Sequence, residues 1–202
     1  MKIINSQVTK DIDQGKPLKL DLGSGENCRK GFYSVDCIEM KGVDIIANLN
    51  EPLYLIPNNS VEYVYSRHAL EHVQHLLPLI CEIHRITKKE GKIEIIVPHF
   101  SNVYGFSDPT HVNFFGLYSM FYFVSPENQP KLRKVPSYYT NIRFIIDSIK
   151  LQFYQSDLID RLFAGIISKV VNRNIFWQNF YERRLSRIFH AWQIQYLMRP
   201  VK

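Results

Sequence analysis

Between residues 18 and 98 the chain repeats one pattern: a short apolar run, an abrupt stop on a glycine, proline or polar residue, then a spacer. The runs are LKLDL at 18–22, FYSV at 32–35, VDIIA at 43–47, VEYVYS at 61–66 and KIEIIV at 92–97. Runs of this length, rich in β-branched and aromatic residues and bounded by turn formers, read as buried strands. Between the fourth and fifth, residues 76–88 (LLPLICEIHRITK) place Leu79, Ile80, Ile83 and Ile86 on one helical face, and Gly91 is expected to close that helix from its C′ position. Strands spaced this way, with helical segments between them, predict an α/β domain with a mostly parallel sheet and helices on its faces.

Residues 99–140 break the rhythm with many aromatics, among them Phe100, Tyr104, Phe106, Phe114, Phe115, Tyr138 and Tyr139, interspersed with prolines. Such a segment reads as a substrate-binding insertion or lid within a single domain spanning 1–202. Regularity returns with a strand at 142–153. A helix at 157–171 follows, with apolar pairs at 158/159, 162/163, 166/167 and 170/171; a second helix is expected over 174–189. Alternation at Trp192, Ile194, Tyr196 and Met198 makes the seventh and last strand.

Charge is unevenly placed. Residues 1–130 carry 12 Lys/Arg and 15 Asp/Glu, whereas residues 131–202 carry 13 and 4. A basic C-terminal third is either a solvated face or a contact for an anionic partner, such as a membrane surface or nucleic acid. The helix over 158–171, with Arg161, Lys169 and Arg173 nearby, could lie on an anionic membrane or pack on the sheet as an ordinary connection. There is no apolar run of 18 residues and no signal-like N-terminus, and the odd count of three cysteines (Cys28, Cys37, Cys81) lacks metal-ligand spacing. The expectation is a cytoplasmic protein without a transmembrane segment or a bound metal.

Open parallel sheets bind ligands beyond the carboxyl ends of their strands, so chemistry is sought there. Gly23 and Gly25 after the first strand permit a tight turn and close backbone approach to a ligand, although a lone Gly-x-Gly is also an ordinary turn. The dinucleotide fingerprint fails, because Cys28 stands where a third glycine belongs and CRKGF replaces a long helix. Asp36 closes the second strand, where a carboxylate can accept both hydroxyls of a ribose, and Asn48-Leu49 closes the third, where an amide can read a base edge.

With these residues in order, the sequence resembles the class I S-adenosylmethionine-dependent methyltransferases, and within them a compact branch found with glycan and lipid-sugar biosynthesis. LDLGSG (20–25) matches the first motif and FYSVD (32–36) the acidic second strand end. The stretch from VDIIANLNEP to RHALEHV (43–73), GKIEIIVPH (91–99) and SDPTHVNFF (107–115) continue the match. The resemblance implies a Rossmann-like sheet of seven strands, the last antiparallel, with helices on both faces and the aromatic insertion after the fifth strand. It implies S-adenosylmethionine as cofactor and a small-molecule, sugar or glycolipid acceptor methylated on oxygen. It places Asp21, Leu22, Gly23, Ser24 and Gly25 in the turn under the methionine part and Asp36 on the ribose. Asn48 and Leu49 would flank the adenine, with Ser66, Arg67 and His68 beside the sulfonium. Asn48 replaces the usual Asp, and the 15 residues from Asp21 to Asp36 leave room only for a stunted first helix.

Proton transfer from a hydroxyl acceptor needs a base, and His111 with Asp108 at its side is the candidate, with His99 in reserve. Asp108 and His111 could equally brace a turn. Two rival readings remain at this stage. The basic third would suit an RNA or other nucleic-acid methyltransferase. His68-Ala69-Leu70-Glu71-His72 also spells the H-x-x-E-H motif of a zinc peptidase, which requires both histidines on one long helix.

Overall fold

The strand Leu18–Leu22 buries Leu18, Leu20 and Leu22 on one face and Asp21 on the other, with only Lys19 exposed, as suits a strand near the centre of a covered sheet. It is the second strand of a computed structural model that describes residues 1–156 and 158–202. The elements are β1 (Lys2–Ile3), α1 (Ser6–Asp13), β2 (Leu18–Leu22), β3 (Tyr33–Asp36), β4 (Ile45–Ile46) and β5 (Val61–Arg67). After them come α2 (Leu76–Ile86), β6 (Thr87–Pro98), β7 (Arg143–Phe153), α3 (Leu158–Val171), α4 (Ile175–Arg184) and β8 (Ala191–Val201). The sheet order is β1-β4-β3-β2-β5-β6-β8-β7. Strands β2 to β6 pair in parallel, and β8 runs antiparallel to both β6 and β7.

The expected α/β sheet with its antiparallel last strand is therefore present, with one strand more than expected: β1 pairs antiparallel with the outer edge of β4. That strand and α1 carry too little apolar surface to announce themselves, since α1 buries only Val8 and is started by the Asn5 side chain accepting from Gln7 N–H. The stunted first helix expected from the 15-residue spacing does not form: the described residues between β2 and β3 contain no helix. Asp157, expected in the first turn of α3, lies outside the described residues.

Two helix ends differ from the sequence reading. α2 stops at Ile86, because Thr87 turns to extended backbone and its hydroxyl donates back to the Ile83 carbonyl (2.6 Å). Gly91 then lies inside β6 rather than at a helix end. A Cβ there would meet Thr87 Cγ2 at 2.6 Å and the Val61 carbonyl at 3.0 Å, where the β5–β6 register slips. α4 ends at Arg184, five residues early, as the Ser186 hydroxyl takes the Glu182 carbonyl and competes with the helix.

The segment after β6 is irregular, as expected, and built of 3-10 turns at Val103–Phe106, Ser119–Phe123 and Pro126–Asn128. It has its own apolar cluster of Leu117, Tyr118, Phe121, Val124 and Val135 beside the main core. No helix among the described residues is long and apolar enough to cross a membrane.

Candidate cofactor cleft and acceptor side

The chain runs from β2 outward to β3 and β4, then returns across β2 to β5, so strand order reverses between β2 and β5. At such a switch point the loops leave in opposite directions and open a crevice. Gly23 and His68, the residues that follow β2 and β5, both adopt the left-handed region, with φ of +70° and +53°. For Gly23 the conformation is natural. A Cβ on it would lie 2.3 Å from the Ala69 Cβ, so this position has no room for one. For His68 it is strained, and the ring is held on three sides. Nε2 lies 2.9 Å from Gln193 Oε1, Nδ1 lies 3.4 Å from Glu71 Oε1, and the ring stacks on Trp192 at 6.1 Å.

Two cavities meet at this point and share Gly23 and His68 as walls. One, about 390 Å³, is lined by Gly25, Asp36, Asn48, Leu49 and His72 among others. The second, about 570 Å³, is lined by Asp21, Ser24, Asn27, Arg29, Tyr65 and Arg67. Both are of ligand-binding size. In the first, Asp36 accepts from the Gly25 N–H (2.9 Å) through one oxygen and from the Ile38 N–H (3.2 Å) through the other. Each carboxylate oxygen keeps a lone pair for a further donor. Asn48 Oδ1 is taken by Asn50, whose N–H and side-chain amide both donate to it, so it organises the loop as well as lining the cavity.

The second cavity has a feature the sequence reading missed. Arg29, in the loop that replaces the first helix, lays its guanidinium over Tyr65 (4.1 Å), Phe32 (4.8 Å) and Tyr63 (5.6 Å), and lies 3.5 Å from Glu94 Oε2. Its own N–H donates to the buried Asp21 carboxylate (3.1 Å). Burial pushes the Asp21 carboxyl up, and the Arg29 N–H and charge only partly offset this. The loop is thus clamped by cation–π packing in place of a helix. A basic residue followed by a glycine and an aromatic was the only trace of this in the sequence.

Not every expected residue reaches a cavity. Ser66 is buried and its hydroxyl donates to the Leu22 carbonyl (2.8 Å), so both brace β2 against β5. His99, the reserve base, is also walled in. Ser101 N–H donates to its Nδ1, leaving Nε2 to face Glu182 Oε1 at 3.0 Å. It is a packing residue under the insertion, with no face open to a substrate.

His111 and Asp108 are brought together, with Nε2 3.6 Å from Oδ2. Thr110 links Asp108 to His72, its hydroxyl lying 2.6 Å from Asp108 Oδ1 and 2.8 Å from His72 Nδ1. The Thr110 hydroxyl and N–H hold the Asp108 carboxyl below the usual range. The His72 and His111 rings meet edge-on at 4.8 Å. The peptidase geometry is absent. His68 lies on left-handed backbone at a strand end and His72 in a one-turn 3-10 segment, so no helix presents the two together.

Residues 38–95 match the family model described as a methyltransferase domain. No curated protein matches the sequence. Among solved structures, a SAM-dependent methyltransferase from Archaeoglobus fulgidus is similar, with a TM-score of 0.51 and 18% identity over 96% of this chain and 91% of its own. The YcgJ protein of Bacillus subtilis gives 0.50 at 14% identity, covering 98% of each chain. A protein of Bacillus halodurans C-125 gives 0.52 at 11% identity, covering 97% and 98%. The chain therefore has the fold of the class I S-adenosylmethionine-dependent methyltransferases, with a matching methyltransferase-domain stretch from the β3–β4 loop into β6.

Proposed function

We propose that this chain binds S-adenosylmethionine across the β2–β5 switch point and methylates a hydroxyl oxygen of a sugar-bearing acceptor. The observation that carries the reading is the pair of cavities joined at Gly23 and His68, one walled by Asp36 and the other by Asp21. The cofactor's parts fit that division. Asp36 suits the ribose hydroxyls, and Asn48 and Leu49 the adenine. Arg29 and Arg67 suit the methionine carboxylate, while the buried Asp21 suits its ammonium. When bound, S-adenosylmethionine supplies a methyl group already activated on sulfur, so the protein's task is alignment and removal of the acceptor proton. Asp108 and His111, across the cleft with His72, form the acid–base side. Asp36→Ala is expected to weaken S-adenosylmethionine binding at least tenfold, about the loss of one charge-assisted hydrogen bond, in a calorimetric titration. Unchanged affinity would remove Asp36 from the site.

A sugar acceptor is supported by a row of rings leading away from the switch point. His68 stacks on Trp192, Trp192 on Tyr154 (6.3 Å), and Tyr154 meets Tyr104 (6.0 Å). Tyr104, Tyr154 and the nearby His190 also line a cavity of about 420 Å³. Flat aromatic faces suit the C–H faces of a pyranose, with hydroxyls left for the polar groups around them.

A lipid-linked form of that acceptor is supported by α3. Its Ala164 and Val171 are buried, but Leu158, Leu162 and Ile166, four residues apart, are 73%, 63% and 66% exposed. Arg161 and Lys169 on the same helix are exposed beside this stripe. The helix thus both packs on the sheet and presents an apolar, cation-flanked face suited to an anionic membrane surface. Leu162→Asp with Ile166→Asp should abolish sedimentation with vesicles containing phosphatidylserine. Equal sedimentation of variant and wild type would refute the contact.

A further inference from the structure

We propose that Glu71, His72 and His111 form a binding site for one divalent transition-metal ion, of the zinc type, at the acceptor side of the cleft. The inference rests on the methyltransferase reading for its role, not for its existence. Each of the three residues offers one ligand atom, and these atoms lie within 4.8 Å of one another. Glu71 is the telling member. It is 1% exposed, its Oε1 faces His68 Nδ1 at 3.4 Å, and its Oε2 has no hydrogen-bond partner. A buried carboxylate oxygen left without a donor is costly, and a cation is the partner that best satisfies it.

The three residues are held together by backbone, although 39 residues separate His72 from His111 in sequence. The Glu71 carbonyl accepts from both Val112 N–H (2.8 Å) and Asn113 N–H (3.1 Å), and Asn113 Nδ2 donates to the Leu70 carbonyl (3.1 Å). The insertion is thereby fastened to the turn that carries Glu71 and His72. Metal-bound imidazoles commonly have an outer hydrogen-bond partner. Here Thr110 Oγ1 holds His72 Nδ1 and Asp108 lies beside His111. Ligand bonds of about 2.0–2.2 Å require donors roughly 3.3 Å apart in a tetrahedron. The three atoms therefore draw in by at most about 1.5 Å, which the exposed His72 side chain can supply by rotation.

Two imidazoles and one carboxylate are the donor set of borderline metals such as Zn²⁺, and three protein ligands leave a position open. His72 also lines the first cavity, so the open position of the site adjoins the proposed cofactor. An acceptor hydroxyl coordinated there becomes more acidic. Its O–H bond breaks with the electron pair kept on oxygen, and the proton passes to the Asp108 carboxylate. This divides the acid–base side: His111 serves the ion and Asp108 the proton.

The test is a Zn²⁺ titration of the untagged, chelator-stripped full chain against a chromophoric competitor, with S-adenosylmethionine calorimetry on the same samples. One Zn²⁺ per chain is expected, with Glu71→Gln and His111→Ala each weakening it by about 100-fold or more while cofactor affinity stays within about threefold. Circular dichroism verifies that each variant is folded, and His111→Ala, whose side chain is less buried than that of Glu71, covers the case in which Glu71→Gln is not. Absence of stoichiometric binding, or binding indifferent to both variants, overturns the site. Zn²⁺ binding that depends on these residues in a chain that does not bind S-adenosylmethionine would uphold the site and overturn the methyltransferase reading.

Discussion

Gly23→Ala is expected to cost roughly 2–5 kcal/mol of folding stability and to abolish cofactor binding. Left-handed backbone costs an L-residue about 1–2 kcal/mol. Overpacking a site that cannot yield adds about 1–3 kcal/mol. The added methyl would lie 2.3 Å from the Ala69 Cβ and 3.6 Å from its Cα, and that Cβ can move only with the backbone held between β5 and the following turn. No rotamer relieves such a contact, so β2 and β5 must part at the switch point, where the two proposed halves of the cofactor would meet. Gly25 provides the internal comparison. Its φ is +55°, and nothing lies within 4 Å of a Cβ there, so Gly25→Ala should cost only the backbone term. Urea denaturation of both variants measures the difference. Equal stabilities would show that the close approach of the two strand ends does not constrain the cleft.

Glu182→Ala should destabilise the chain by about as much, through the insertion instead of the sheet. Glu182 Oε1 accepts from the Leu117 N–H (2.5 Å) and faces His99 Nε2 (3.0 Å), so one oxygen on α4 holds both the root and the middle of the segment after β6. Each buried donor left unpaired costs about 1–3 kcal/mol, giving roughly 2–6 kcal/mol in total. Hydrogen exchange at the Leu117 amide should accelerate sharply, while Glu182→Gln, which keeps an acceptor oxygen, should recover most of the protection. A Leu117 amide still protected in Glu182→Ala would mean that the apolar cluster of Tyr118, Phe121 and Val135 holds the insertion unaided.

The parts of this molecule that were legible in the sequence are those set by local rules. Run length and stop residues locate β2, β3, β5 and β6, and the strand ends then name Gly23, Gly25, Asp36 and Asn48 as cavity residues. What escaped depends on contacts across the chain. Arg29 gains its place from rings on β5 and the β2–β3 loop. Glu71 and His72 meet His111 because backbone hydrogen bonds tie the insertion to the 3-10 turn, a register no spacing rule reveals. His99 follows a strand end directly, where open sheets carry chemistry, yet Glu182 arrives from 83 residues away to enclose it. Gly91 was misplaced for a local reason: glycine ends helices and also relieves bulges, and only the fold shows which.

The cleft between β2 and β5 is expected to accept S-adenosylmethionine, and direct calorimetric titration of the full chain tests this. Saturable binding at one molecule per chain, with NAD⁺ giving no heat of binding under the same conditions, is the predicted result. No saturable heat with S-adenosylmethionine, or equal binding of NAD⁺, would contradict it.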